Sequence, residues 1–286
     1  MSYSKEFAVM PGSRPRLEQA DPAYTDKYKS KEQVEETTRG NLERLRKAQY
    51  LLYATAQRSL LVVLQGLDAS GKDGTISHLF AGMNPQGISV ARFKEPTAAE
   101  LAHDFLWRVH PYAPAKGGIV IFNRSHYEDV LVARVHKLVP KAVWTARYAL
   151  INSFEKLLSK HGTKILKFYL HISPEEQLKR FKQRLEDPMK QWKIDESDYS
   201  ERQFWPEYIE AYEDALAETS TEEAPWYIIP SDRKWFRNLA ISEIVAEALE
   251  GMKLTLPSAH ADIEAIRLKY HAAAAKQSGK ASSDRN

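Results

Sequence analysis

The segment Gly66-Leu-Asp-Ala-Ser-Gly71-Lys72-Asp73-Gly74 has the residue types and spacing of a loop built to hold phosphate. Glycines at its first and sixth positions let the backbone turn tightly and point N–H groups inward, and a lysine follows the second. Anions are favoured in such a nest, the more so where a helix begins and adds the positive end of its dipole. Gly66, Ala69, Ser70, Gly71, Lys72, Asp73 and Gly74 are therefore expected to bind phosphate, with Lys72 supplying a full positive charge. Two residues depart from the usual pattern. Asp73 stands where a Ser or Thr hydroxyl would hold Mg2+, and Asp68 lies inside the loop. A carboxylate facing phosphates is repulsive unless a cation lies between them, so Asp68 is expected to organise Mg2+ or to activate the acceptor. For Asp73 a structural alternative is open, because acids are favoured in the first turn of a helix.

A second cluster, Asn123-Arg124-Ser125-His126-Tyr127-Glu128-Asp129, follows the apolar run Gly118 to Phe122. Arg124 offers a planar fork to a phosphate. Glu128 and Asp129 are candidates for orienting metal-bound water or the acceptor, although Ser125 and Glu128 also fit a helix capping box. His126 has no second histidine at metal-ligand spacing and reads as a packed or hydrogen-bonding residue. A third cluster carries charge alone: Lys179, Arg180, Lys182, Arg184, Lys190 and Lys193 stand against Glu186 and Asp187. It could face a polyanion, although on charge alone a solvated helix face is the plainer reading.

These clusters need elements to position them. The apolar runs predict strands over Leu60 to Leu64, Ile88 to Phe93, Gly118 to Phe122, Ile165 to His171 and Trp226 to Ile229. The spacing predicts helices over Glu32 to Gln57, Gly74 to Gly82, Ala98 to Val109, Tyr127 to Val135, Val143 to Lys160, Glu175 to Leu185, Glu201 to Ala217 and Trp235 to Leu249. Thr97-Ala-Ala-Glu100, Ser125-His-Tyr-Glu128 and Ser173-Pro-Glu-Glu176 fit the capping-box pattern. Strands alternating with helices predict a three-layer α/β/α fold with a parallel sheet covered on both faces, and ligands gather outside the carboxyl ends of such strands. Both the phosphate loop and the Arg124 cluster fall there. Residues 173–204 are expected to form a helical lid, with Leu178, Phe181 and Leu185 on one face and Arg180 and Arg184 opposite.

The domain is expected to span residues 31–256. It is preceded by an irregular arm, 1–30, with Pro11, Pro15 and Pro22, and followed by a tail, 257–286, whose last dozen residues are expected to be disordered. Hydrophobic residues at 43% and charged residues at 28% describe an ordinary soluble protein. No cysteine is present, which excludes a disulfide scaffold, a thiolate zinc site and a cysteine nucleophile. A net charge of +3 is too small to imply a nucleic-acid partner. No secretory signal is seen and the apolar runs are too short for a bilayer, so a cytoplasmic location without membrane contact is expected.

Four segments, GLDASGKDG, FNRSHYEDVL, FKEPTAAELAHDFLWRVHP and APWYIIPSDRKWFRNLAI, together resemble the polyphosphate kinase 2 family, with the closest pattern in its class III branch. The resemblance covers roughly residues 30–256. It implies a P-loop kinase fold, Mg2+ (with Mn2+ as a substitute), and phosphoryl transfer between inorganic polyphosphate and nucleoside mono- and diphosphates, adenosine phosphates by default. It makes Asp68 and Lys72 the carboxylate and lysine of the phosphate loop, Arg124 the arginine of the second motif and Arg184 the catalytic arginine of the lid. Arg180 and Lys193 join the phosphate-binding set. Lys94, Asn123, Arg124, Glu128 and Asp129 become the nucleotide-binding set, and Asp129 a candidate second metal carboxylate beside Asp68. Many members carry Asp where this chain has Asn123; Asn there with Glu128 resembles the branch that accepts both AMP and ADP. A homodimer or homotetramer is implied. The alternative on the same fold is an ATP-dependent nucleotide or small-metabolite kinase.

Overall fold

The computed structural model describes residues 2–259 and 261–283 and divides into two compact units, residues 1–254 and 255–286. In the first, strands β1 (Ser59–Gln65), β2 (Ile88–Arg92), β3 (Ile119–Asn123), β4 (Thr163–His171) and β5 (Trp226–Pro230) form one parallel sheet in the order β2-β3-β1-β4-β5. Its helices in chain order are α1 (Tyr3–Glu6), α2 (Glu35–Thr55), α3 (Lys72–Leu79), α4 (Ala98–Leu101), α5 (Val132–Val135), α6 (Lys141–Lys160), α7 (Pro174–Glu186), α8 (Glu196–Glu201), α9 (Trp205–Thr219) and α10 (Lys234–Glu250).

The central strand β1 shows why the sheet is double-sided. Leu60, Val62 and Leu64 enter a core with α2 and α10, while Leu61 and Val63 enter the opposite core with α6 and α9. Alternate side chains of a strand point to opposite faces, so a strand apolar at every position must be covered twice. The expected three-layer architecture is the one observed.

Three local expectations are corrected. Residues 98–109 are not one helix: α4 ends at Leu101, and Asp104 Oδ1 accepts the Leu106 N–H at 3.0 Å, a side-chain turn that competes with helix continuation. Residues 127–135 break into a 3-10 turn, His126–Asp129, and the short α5. The N-terminal arm, expected to be irregular, carries α1 and a 3-10 turn, Leu17–Gln19, and is built into the core: Tyr3, Val9 and Leu17 are buried, and Ala8 bridges antiparallel to Tyr227 on the outer strand β5. The arm thus occupies part of an edge that would otherwise present unpaired backbone groups.

In the second unit, α11 (Ile263–Ser283) occupies most of the stretch expected to be disordered; residues 284–286 lie outside the described residues. Among the described residues no helix is long and apolar enough to cross a membrane.

Candidate active site

The loop leaves the carboxyl end of β1 and runs into α3. Its curl comes from three left-handed positions: Gly66 at φ 150°, Ala69 at 60° and Gly71 at 107°. A Cβ on Gly66 would lie 2.8 Å from the Leu170 carbonyl oxygen and 2.9 Å from Ser70 Oγ, so only glycine lets the loop close against β4. Lys72 is the first residue of α3 and curls back over its own loop, its Nζ donating to the carbonyls of Gly66 at 2.6 Å and Leu67 at 3.3 Å. Burial, then the positive charge of Arg124, pushes its pKa down to about 8. Ser70 Oγ is buried and has no hydrogen-bond partner among the described residues.

Arg124 follows β3 directly and holds a left-handed backbone, φ 61°, a conformation that is uncommon outside glycine and clusters at functional sites. Its N–H donates to the Leu64 carbonyl at 3.1 Å, anchoring it to β1. Its guanidinium bridges two carboxylates, Asp68 Oδ1 at 2.7 Å and Glu128 Oε2 at 3.4 Å. Glu128 first, then Asp68, raises its pKa against the effect of burial. Asn123 Nδ2 donates to Asp73 Oδ1 at 2.7 Å, and Lys193 Nζ approaches Asp73 Oδ2 at 3.8 Å. The two sequence clusters therefore form one network: Asp68, Lys72 and Asp73 from the loop, Asn123, Arg124 and Glu128 from the end of β3.

Several expectations change here. Glu128 does not close a capping box with Ser125; its carboxylate goes to Arg124, while Ser125 Oγ accepts from the Tyr127 N–H. The box at Ser173 is only half formed, because its N–H donates to Asp232 while Glu176 pairs with Arg180 and Lys179. Thr97 and Glu100 form the full box. Asp129 does not join Asp68. It lies half-buried against Arg147 (Oδ1 to Nη1, 3.5 Å) and Arg108 (Oδ2 to Nη2, 4.0 Å), and desolvation there pushes its pKa up. Lys94 is exposed beyond β2, its carbonyl accepting from Arg108 at 2.8 Å. His126 is fully buried beside Glu155, as a packed residue should be.

Within residues 173–204, Phe181 and Arg180 are buried whereas Leu178 and Leu185 are each 49% exposed, so the expected division of faces is wrong. Arg180 does not present its charge to solvent: its Nη1 donates to the carbonyls of Ala69 at 2.8 Å and Ser70 at 3.0 Å, behind the phosphate loop. Arg184 is held within the same segment by the Lys193 carbonyl at 3.1 Å and Asp198 at 3.4 Å. Two residues of the site were not singled out from sequence. Gln177 Nε2 donates to the Asp68 carbonyl at 2.9 Å, and Arg237 Nη1 to the Ser70 carbonyl at 3.3 Å. Arg237 lies within the segment APWYIIPSDRKWFRNLAI, the one sequence signal that pointed near it.

Among the described residues no group of three His, Cys, Asp or Glu side chains could hold a metal ion. Mg2+ does not require one, since it usually keeps several waters and binds one or two carboxylates together with substrate phosphates. Asp68, with Asp73 and the unpartnered Ser70 hydroxyl in the same loop, fits that donor set.

The position of Lys72 makes a prediction about protons. Its pKa in the free protein is about 8, so above that pH the ammonium is lost and anion binding weakens; an anion placed beside it raises the pKa and draws a proton in. Sulfate, which does not titrate in this range, is expected to bind more weakly as pH rises through about 8, with proton uptake near pH 8.5, roughly between the free-protein pKa and the unperturbed value near 10.4. Calorimetry in buffers of different ionisation enthalpy measures the uptake, and Lys72→Met should remove most of it. Equal affinity and no uptake across that range would contradict the assignment.

A family model described as polyphosphate kinase 2 matches residues 28–257. An AMP/ADP-polyphosphate phosphotransferase of Meiothermus ruber is 50% identical over 263 residues, 92% of this chain and 98% of that protein. An ADP-polyphosphate phosphotransferase of Rhodopseudomonas palustris is 43% identical over 266 residues, 89% and 92% of the two chains. The crystal structure of polyphosphate kinase 2 from Arthrobacter aurescens superposes with a TM-score of 0.90 at 40% identity, covering 94% of this chain and 96% of that one.

Proposed function

The chain belongs to the polyphosphate kinase 2 family, and on that premise we propose that it is a polyphosphate:nucleotide phosphotransferase, moving a terminal phosphoryl group between inorganic polyphosphate and AMP or ADP. The observation that carries the reading is the single network in which a phosphate loop with its own carboxylate, Asp68, meets Arg124 at 2.7 Å. In this arrangement Arg124 already lies beside the loop, held by two acids until phosphate oxygens compete for its fork. Lys72 and the loop amides bind the phosphate chain. Arg124 stabilises charge developing on the transferred group, the chief demand of phosphoryl transfer. Asp68, with the Ser70 hydroxyl, would hold Mg2+ or Mn2+; the metal supplies neutralisation of the phosphates when bound. The lid is linked to the loop through Lys193 and Asp73, and Arg184 is the lid arginine proposed to meet the phosphates when they enter. A cytoplasmic homodimer or homotetramer accompanies this reading.

Use of both AMP and ADP rests on Asn123 and Glu128 and is favoured by the name of the Meiothermus relative. The test is a panel of donors and acceptors on the purified protein, with polyphosphate of several lengths or ATP as donor and each nucleotide supplied alone. Phosphorylation of AMP and of ADP by polyphosphate is expected. Use of ADP with no AMP product would remove the dual-acceptor reading, and preference for ATP with a different acceptor would establish the ordinary kinase instead.

A further inference from the structure

Two buried arginines grip the phosphate loop from outside, and one of them has no acidic partner. Arg180, 4% exposed, donates to the carbonyls of Ala69, Ser70, Ser231 and Asp232 and pairs with Glu176 at 2.9 Å. Arg237, 2% exposed, comes from the first turns of α10. Its Nη1 donates to the Ser70 carbonyl at 3.3 Å, and its Nε and Nη2 donate to Asn238 Oδ1 at 3.2 and 2.9 Å. Among the described residues no carboxylate lies within ion-pair distance of Arg237. Burial, then the neighbouring charge of Arg180, pushes its pKa down to about 9, so it stays charged at neutral pH. A buried charge without a counter-charge is costly, and a fold that keeps one has a use for it.

Gly71 shows what that use is. A Cβ there would lie 1.9 Å from Arg237 Nη1, so the absent side chain is what allows the guanidinium to lie against the loop. The Ser70 carbonyl takes hydrogen bonds from both arginines, at 3.0 and 3.3 Å. All peptide bonds described are trans, and in a trans peptide the C=O and the following N–H point in opposite directions. Fixing the Ser70 oxygen between two guanidiniums therefore aims the Gly71 N–H away from them, and a carbonyl so engaged makes its own N–H a stronger donor. Among the described residues that N–H donates to no protein acceptor. It also stands at the start of α3, where helix dipole and free amides favour an anion.

We propose that Arg237 is a positioning residue for phosphate binding, acting through the Ser70–Gly71 peptide. It holds the Gly71 N–H in its phosphate-binding direction and carries a buried charge whose counter-charge is the bound phosphate. The proposal rests on the reading that this loop binds phosphates.

The experiment compares wild type, Arg237→Lys and Arg237→Met in three measurements: melting temperature without and with saturating tripolyphosphate, the 15N–1H signal of Gly71 under the same titration, and separate kcat and KM values for polyphosphate. In Arg237→Met the ligand-free melting temperature is expected to hold or rise, because an unpaired buried charge is gone. Its rise on adding tripolyphosphate shrinks, the Gly71 amide shift shrinks with it, and KM increases about tenfold or more with a much smaller change in kcat, the pattern of lost uniform binding. Arg237→Lys keeps the charge without the fork and should recover part of the KM change; it also serves if the methionine variant does not fold. A wild-type-like ligand-induced rise and KM in both variants would overturn the proposal and leave Arg237 as packing. A wild type that shows neither thermal shift nor Gly71 shift with tripolyphosphate would instead overturn the phosphate-loop reading beneath it.

Discussion

Asp68→Asn is expected to retain its fold and lose a factor of about a hundred to a thousand in turnover, the effect of removing one pre-positioned charge contact from a reaction centre. The substitution keeps shape and removes charge. Its structural cost is small because Asp68 is partly exposed, its carboxylate pairs among the described residues with Arg124 alone, and Arg124 retains Glu128. The backbone around it stays tied by Gln177 to the Asp68 carbonyl, which the substitution leaves intact. If Asp68 organises Mg2+, the variant should also need more metal to reach its own maximum. Lys72→Ala should lose a comparable factor by a different route, with no change in metal demand. The measurement is kcat/KM for each variant across a full Mg2+ titration, with circular dichroism to confirm folding. Near-normal turnover of Asp68→Asn at any metal concentration would remove it from the catalytic set.

The placement of that carboxylate was legible in the sequence because the loop's geometry depends on residue types. Glycine at 66 and 71 and lysine at 72 are needed for the turn and the charge, and a strand apolar at every position announces that both its faces are covered. The five strands accordingly appear within a residue or two of their expected ends: β1 spans Ser59–Gln65 where Leu60 to Leu64 was expected, and β5 spans Trp226–Pro230 where Trp226 to Ile229 was expected. What sequence could not show are contacts whose acceptor is a carbonyl, since every residue carries one. Arg180, expected to bind phosphate from an exposed lid face, instead turns inward, and its partners, Ala69 O and Ser70 O, leave no trace in residue type. Arg237 escaped for the same reason, 167 positions from the carbonyl it holds. Asp129 is a metal candidate beside Asp68 from its place in the cluster after β3, but neighbours in a 3-10 turn take their side chains to different partners: Glu128 to Arg124, Asp129 to Arg147 and Arg108.

The largest effect on stability is expected beneath the Arg124 cluster, at a buried ion pair the reaction does not use. Lys167 on β4 and Glu155 on α6 are 0% and 1% exposed and meet at 2.6 Å. Lys167 also donates to the Tyr127 hydroxyl at 3.0 Å and the Thr219 carbonyl at 2.7 Å, and Glu155 accepts from the Tyr127 hydroxyl at 2.9 Å. Tyr127 belongs to the 3-10 turn that carries Glu128, so this knot supports one wall of the site. Lys167→Met leaves the Glu155 carboxylate buried without its cation and should destabilise the protein by about 3 to 5 kcal/mol. At about 2 to 4 °C per kcal/mol for a domain of roughly this size, that is a fall of about 6 to 20 °C in melting temperature. Changing both residues, Glu155→Met with Lys167→Met, should cost less than Lys167→Met alone, because no orphaned charge remains. The pH dependence separates this account from simple loss of packing. Burial by itself would raise the Glu155 pKa, but Lys167 and then His126 more than offset it, and the value lies below the ordinary 4.5. A lowered folded-state pKa gives stability that is complete above the unfolded value and is lost as pH falls through the folded one. In Lys167→Met the same carboxyl has lost its main cation, so burial raises its pKa and the folded state is favoured by protonation. The gap between wild type and variant should therefore narrow steadily as pH falls from neutral towards 4.5. Denaturant unfolding of the wild type, the single and the double variant at several pH values measures it. A gap that is constant with pH, or a double variant less stable than Lys167→Met, would mean that packing rather than the ion pair holds this wall in place.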